Sequence, residues 1–472
     1  MQPDEFRRHA HELVDWMADY LRDVGTLPIT PAVTPGDIRR QIPAAPPLDG
    51  EPFDALFDDF RRVIVPGMTH WNHPGWFAYF PCNNSPASIL GEMLTATMGV
   101  QGMSWVTSPA ATELEQVVMD WLRQMMDLPA GWVGVIQDTA STATLVALLT
   151  ARERATEGAT GRLGLAASGP PLTVYASREA HSSIDKAVKL AGYGLEHLRS
   201  IETDDAFALR PEALARALEA DRAAGLRPAC VVASVGTTSS TAIDPLVPIA
   251  ELCRRYGAWL HVDAAYAGAA AIVPELRPIF QGMELADSIV FNPHKWLLTN
   301  FDCTAYFVRD PAALLGTFQA TPEYLRTSYD ADVVNFRDWG IQLGRRFRAL
   351  KLWFVIRSYG VEGLRAIIRR HVALAGELAC RIDQEPEFEV MAPVPFGLVC
   401  FRWCPAGRSE EELDALNARL LAAVNAGRQR YLTHTRLGGR YAIRLVVGQR
   451  GTEREHVNAA WDGVRSAAEG LR

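Results

Sequence analysis

The stretch SIVFNPHKWLL, residues 288–298, decides how the chain is read. Four residues of buried-strand character, Ser288 to Phe291, run into the turn signal Asn292-Pro293. Lys295 then stands between His294 and the apolar Trp296-Leu297-Leu298. Desolvating an ammonium is costly, so a lysine that serves only solubility prefers polar neighbours. This one needs either a buried counter-charge or a task that uses an uncharged amine.

Outward from this stretch, short β-rich runs at 133–137, 172–176, 229–235, 259–262 and 288–291 alternate with helical stretches at 145–156, 211–224 and 248–256. That alternation predicts βαβ units and a mostly parallel sheet covered on both faces. A helix is expected over 345–359, stopping at Gly360. Strands at 397–402 and 441–447, with helices at 410–425 and 453–471, predict a smaller α+β domain. The division expected is 1–85, 86–360 and 361–472. At the N-terminus Phe6, Ala10, Leu13, Met17, Tyr20 and Leu21 recur at helical spacing over 4–24. The proline-rich segment 28–52 gives that helix no immediate neighbour, so its apolar stripe is expected to be buried elsewhere, with a second subunit as one candidate.

The chain of 472 residues is 48% hydrophobic, enough for a sizeable core. A net charge of −8 leaves no electrostatic footprint for nucleic acid. The arginines Arg428, Arg430, Arg436, Arg440, Arg444 and Arg450 read as a solvated face. No apolar run of about 18 residues could span a bilayer, and MQPDEFRRHAHELVDW lacks a signal-peptide core. Seven cysteines, without any Cys-x-x-Cys, argue against a disulfide framework or a structural zinc site. The expectation is a reduced, cytoplasmic protein with neither nucleic-acid nor membrane partners.

In open α/β sheets, ligands bind beyond the carboxyl ends of the strands. Each expected strand is followed there by polar groups among small residues: Asp138-Thr139-Ala140-Ser141-Thr142, Arg178-Glu179-Ala180-His181-Ser182-Ser183, Gly236-Thr237-Thr238-Ser239-Ser240, Asp263-Ala264-Ala265-Tyr266-Ala267-Gly268 and Asn292-Pro293-His294-Lys295. Each has a plain structural reading. Thr139 and Ser141 suit helix caps as well as an anion site at a helix start. His181 suits a satisfied polar histidine. Asp263 and Lys295 could form a structural ion pair.

One chemistry uses all five. Pyridoxal phosphate (PLP) needs a Schiff-base lysine, an acidic partner for its pyridinium nitrogen and a phosphate cradle. Keeping the ring nitrogen protonated at neutral pH takes about two pKa units, near 3 kcal/mol. A close, partly buried carboxylate such as Asp263 supplies a shift of roughly 1–3 units. Apolar neighbours lower the pKa of Lys295 and make its amine nucleophilic.

These residues resemble a known family. Asn292-Pro293-His294-Lys295-Trp296 and His261-Val262-Asp263-Ala264-Ala265-Tyr266-Ala267-Gly268 resemble the lysine and aspartate motifs of the group II PLP-dependent amino-acid decarboxylases. Likeness to the aromatic-L-amino-acid decarboxylases runs through nearly the whole chain. It includes Glu5-Phe6-Arg7-Arg8, Phe77-Ala78-Tyr79-Phe80-Pro81, Ser108-Pro109-Ala110-Ala111-Thr112-Glu113-Leu114-Glu115, Ala180-His181-Ser182-Ser183 and Leu343-Gly344-Arg345-Arg346-Phe347-Arg348. The resemblance implies a type I PLP-dependent α/β fold with an N-terminal helical segment swapped in a homodimer. It implies Lys295 as the Schiff-base residue, Asp263 at the ring nitrogen, and His181 and Ala265 on the two ring faces. Thr139, Ala140, Ser141, Asn292 and His294 would hold the phosphate, with Thr238 near the Schiff base. Tyr79, Phe80, Pro81, Cys82, Gln101 and Met103 would line the substrate pocket. Tyr324, on a catalytic loop within 317–339, would protonate the substrate carbon after CO2 leaves.

Asn72 and Cys82 stand where animal relatives tend to carry His and Thr, and Gln101 and Met103 also depart from the family's pocket residues. The expected reaction is decarboxylation of tryptophan, phenylalanine, tyrosine, DOPA or 5-hydroxytryptophan to the amine. An aldehyde synthase of the same family is the alternative. Such enzymes typically lose the residue matching His181 or Tyr324, and this chain keeps both. A metal-dependent hydrolase built on His261, Asp263 and His294 would leave Lys295 idle and lacks a His-Glu-x-x-His spacing, so no metal site is expected.

Overall fold

The computed structural model describes residues 1–472 apart from 321, 322, 327 and 331 and the side chain of residue 324. Strands β1 (Val133–Gln137), β2 (Leu172–Ser177), β3 (Leu198–Ile201), β4 (Arg227–Ser234), β5 (Trp259–Asp263), β6 (Ser288–Phe291) and β7 (Thr304–Val308) form one sheet in the order β1-β7-β6-β5-β4-β2-β3. The pairings linking β3, β2, β4, β5 and β6 are parallel. β7 lies antiparallel between β1 and β6. The sequence reading missed β3 and β7. β3 is a four-residue edge strand with little periodicity, and β7 follows too soon after β6 for the helix that a parallel crossover requires.

Alternate residues of a strand point to opposite faces, and here they enter two separate cores. From β4, Val231 and Ala233 join one, while Cys230 and Val232 join the other. The first is closed by helices Pro109–Met125, Pro211–Ala223 and Leu246–Tyr256, through residues such as Leu122, Leu214 and Ile249. The second is closed by Ala140–Ala155, Ser183–Leu190 and Pro311–Phe318, through Val146, Val188 and Leu314. Burial on both faces is why these strands read as continuous apolar runs rather than as alternation.

A second sheet, β10-β11-β9-β8, is antiparallel throughout. It contains β8 (Phe388–Val390), β9 (Leu398–Trp403), β10 (Thr433–Leu437) and β11 (Arg440–Val446). Helices Glu410–Ala426 and Arg454–Glu469 pack on it through Leu420 and Trp461.

The helix placed at 345–359 begins at Arg348 and stops, as expected, at Gly360 (φ 65°, ψ 165°), beyond which a second helix runs to Asp383. Glycine adopts that left-handed φ without steric penalty. The second helix is held by Leu374, Leu378 and Ile382, which enter a core beside the second sheet. The N-terminal helix, Pro3–Asp23, buries part of its stripe elsewhere in its own chain, beyond the proline-rich segment. Trp16 meets the edges of Phe57 and Phe60 at 6.3 and 5.0 Å, and Tyr20 Oη lies 2.9 Å from His70 Nδ1. Phe6 and Val14 stay exposed, so the stripe is only partly covered.

Helix Pro86–Met98 crosses Arg348–Asp383 at Gly91, where an added Cβ would lie 2.8 Å from Lys351 Cα. Backbone cannot swing aside as a side chain can. Gly91→Ala is therefore expected to destabilise the protein by about 1–3 kcal/mol, against alanine's better helix propensity. The measurement is the urea unfolding midpoint, and a midpoint at or above the parent's would refute the close crossing.

Candidate active site

The carboxyl ends of β1, β2, β4, β5 and β6 open on one cavity of about 250 Å3. Thr139, Ala140, Ser141, His181, Thr238, Asp263, Ala265, Asn292, His294 and Lys295 all line it, together with Phe80. Residues scattered over more than 150 positions converge because each follows a strand of the same sheet.

Lys295 sits on a single helical turn, Pro293–Trp296. Trp296 anchors that turn: it is 1% exposed, stacks on Tyr266 with centroids 4.6 Å apart, and donates Nε1–H to His371 Nδ1 at 2.9 Å. With Trp296 fixed in the core, the adjacent Lys295 faces the cavity. Burial lowers the Lys295 pKa, opposed by the Asp263 carboxylate and the Cys82 thiol. Among the described residues Lys295 makes no ion pair, and Asp263 Oδ1 instead accepts the Ala265 N–H at 3.0 Å. Amine and carboxylate therefore face a shared space, which removes the structural ion-pair reading.

Two histidines are held neutral. Ser183 N–H donates to His181 Nδ1 at 3.1 Å, so the ring proton belongs on Nε2. Burial lowers the His181 pKa, the charges of Lys295 and Lys186 add to the effect, and Asp263 opposes it. His294 Nδ1 accepts the Cys303 N–H at 3.0 Å, and burial beside Lys295 brings its pKa down to about 3. Both rings then offer Nε2–H donors without positive charge. Thr304 Oγ1 lies 2.9 Å from Asn292 Oδ1, which leaves the Asn292 amide nitrogen as a donor. Thr139 caps helix Ala140–Ala155 by accepting the Thr142 N–H at 3.4 Å, while free N–H groups of the first turn remain beside Ser141.

Some lining residues were not singled out from the sequence. Ser183, Ser234, Gly236, Thr237 and Tyr266 stand within or beside the strand-end stretches, so proximity was a usable signal. Gly236 has φ +87°, and a Cβ there would lie 2.6 Å from Ala267 Cβ. Phe301 carried no signal. Arg444 does not itself line the cavity, but at 4% exposed it corrects the solvated-face reading. It donates to Thr238 O at 2.8 Å and Ser239 O at 3.2 Å, and its guanidinium lies 5.4 Å from the Phe80 centroid.

Of the substrate-pocket candidates, only Phe80 lines the cavity. It stacks on Tyr266 with centroids 4.0 Å apart and lies 5.4 Å from Lys295 Nζ. Tyr79 is 52% exposed, and Pro81 packs toward Gly448. Cys82 is half-buried within electrostatic reach of Lys295. Gln101 Oε1 accepts the Arg345 N–H at 2.6 Å, and Met103 O accepts the Arg337 N–H at 2.8 Å, both apart from the cavity within one chain. The Tyr324 side chain lies outside the described residues. His261 is fully buried, with Nδ1 2.9 Å from Ser288 Oγ, and it does not line the cavity. Its ligand atoms do not cluster with those of Asp263 and His294, so the metal reading has no geometry.

The residues present fit PLP. An unpaired, desolvated amine and a carboxylate share an enclosed space with a helix N-terminus and several neutral donors, matching the aldehyde, ring nitrogen and phosphate of that group.

Residues 35–404 match the pyridoxal-dependent decarboxylase conserved domain. The chain is 43% identical to phenylacetaldehyde synthase of Arabidopsis thaliana, covering 99% of this chain and 96% of that protein. It is 44% identical to tryptophan decarboxylase TDC2 of Camptotheca acuminata, covering 100% and 96%. The solved structure of Oryza sativa TDC with PLP and tryptamine superposes with a TM-score of 0.96 at 41% identity, covering 100% and 99%. The cavity at the strand ends and these likenesses together lead to one conclusion: the chain belongs to the pyridoxal-dependent decarboxylase family.

Proposed function

We propose that this protein decarboxylates an aromatic L-amino acid (tryptophan, phenylalanine, tyrosine, DOPA or 5-hydroxytryptophan) to the corresponding amine. The observation that carries the reading is the desolvated Lys295 amine facing Asp263 across a cavity walled by the Phe80 ring. The names of relatives at 43–44% identity, a tryptophan decarboxylase and a phenylacetaldehyde synthase, support an aromatic substrate.

PLP, when bound, supplies an electron-accepting ring for the pair left as CO2 departs. Lys295 would contribute an uncharged amine for its attachment, and Asp263 would keep the proton on its ring nitrogen. His181 and Ala265 would flank the ring. The N-terminus of Ala140–Ala155, with Thr139, Ser141, Asn292 and His294, receives the phosphate. Thr238, held by Arg444, borders the amine. Tyr324 and His181 deliver a proton to the substrate α-carbon. Keeping both favours the amine over the aldehyde product of the alternative synthase reading.

The working unit in this proposal is a homodimer in a reducing, cytoplasmic setting, with divisions at 1–85, 86–360 and 361–472. Leu90, Leu94 and Met98 support the dimer, since they are about half exposed at i, i+4, i+8 spacing on one helix and form an uncovered apolar stripe. Tyr79, Cys82, Gln101 and Met103 are then assigned to a substrate pocket completed between subunits. Seven free thiols support the compartment.

Lys295→Ala is expected to abolish the visible absorbance of lysine-bound PLP and to lower turnover by at least roughly a thousandfold. Retention of either would overturn the assignment. The reaction itself is tested by offering the PLP-loaded enzyme an equimolar pool of aromatic amino acids in air, with products identified by mass. Amines without peroxide are expected. Tyr324→Phe should shift the products toward aldehyde, ammonia and peroxide, and an unchanged amine yield would remove Tyr324 from the proton step. Sedimentation should give twice the 52.0 kDa chain mass. Leu94→Glu should move the population toward monomer, and an unaffected dimer would place the interface elsewhere.

A further inference from the structure

A second cavity, of about 280 Å3, lies between the end of the N-terminal helix, residues 72–74, residues 83–84 and the segment after β11. Its chemistry differs from that of the Lys295 cavity. Arg22, Asn72, Asn84, Gln449, Arg450 and His456 line it, and no carboxylate does among the described residues. Arg22 is already paired, with Asp19 and Asp23 at 2.7 Å each. Glu453, an acid close by in sequence, is paired with Arg370 at 3.0 Å. Arg450 has no ion pair among the described residues. Gln449 is 2% exposed, and its amide Nε2, buried, finds no acceptor there. A guanidinium without a counter-charge and a buried amide donor without an acceptor stand beside one polar cavity, and a single oxyanion would serve both.

We propose that this cavity is a binding site for a small oxyanion, with the Arg450 guanidinium and the Gln449 and Asn84 amides as its donors. The site is joined to the Lys295 turn through one residue. Asn83 accepts the Arg450 N–H on Oδ1 at 2.9 Å, and its Nδ2 lies 2.7 Å from both Lys295 O and Gly448 O. An anion held by Arg450 therefore steadies the backbone that Asn83 fastens to Lys295. The oxyanion could be a phosphate or a carboxylate, which share the acceptor geometry that a guanidinium recognises.

The test is calorimetric titration of the PLP-loaded enzyme, whose cofactor phosphate position is already filled, with inorganic phosphate and separately with acetate. Saturable binding of one stoichiometric anion per chain is expected, and the tighter of the two identifies the source. Arg450→Ala should weaken binding roughly ten- to hundredfold, the effect of losing hydrogen bonds to a charged group. Gln449→Leu, which keeps the side-chain size and every charge, should weaken it by a smaller factor. Absence of saturable binding by either anion would overturn the proposal. So would equal affinity in the parent and both variants. If Arg450→Ala does not fold, Gln449→Leu decides alone, through loss or retention of the parent affinity.

Discussion

Burial of the main sheet on both faces is the constraint on which the rest of the structure depends. The apolar side chains of β4, β5 and β6 enter one of two cores, where an unpaired charge would be strongly penalised. Groups with chemistry to perform are therefore displaced to the strand ends. Asp263 is the last residue of β5, Ser234 the last of β4, and Lys295 follows β6 by one short turn. The parallel arrangement brings these ends to one edge, so the cavity is a consequence of the sheet rather than an addition to it.

The electrostatics of the cavity follow from the same burial. Among the described residues no arginine lines it, and Lys295 is its only basic side chain besides histidines that burial holds neutral. An anion there must be met by a helix N-terminus, hydroxyls, the Asn292 amide and the imidazole of His294. That leaves the charge balance at the amine to Lys295 and Asp263, and keeps the amine pKa under the control of desolvation. The second cavity is the converse, since it has a guanidinium without a counter-charge.

Several residues that shape the cavity come from outside the main sheet. Arg444, on β11, holds the Thr238–Ser239 backbone. Asn83 ties Lys295 O to the segment after β11. His371, on the helix that follows Gly360, accepts from Trp296. The smaller sheet and the N-terminal region thus act as clamps on loops whose chemistry belongs to the larger one.

The sequence alone determined five of the sheet's seven strands, their mostly parallel character and the ten residues gathered at Lys295. Each leaves a local mark: an apolar run, a helix start, or an ionisable group among alanines and glycines. Only the tertiary structure decided that Arg444 is buried, that a second helix follows Gly360, that β7 inserts antiparallel, and that Asn83 and Gln449 frame a second polar cavity. Arginine on a strand looks the same in sequence whether it meets water or a backbone carbonyl. A left-handed glycine ends a helix, and whether another begins just beyond it depends on a distant core. Those outcomes rest on partners hundreds of residues away, and local sequence carries no record of them.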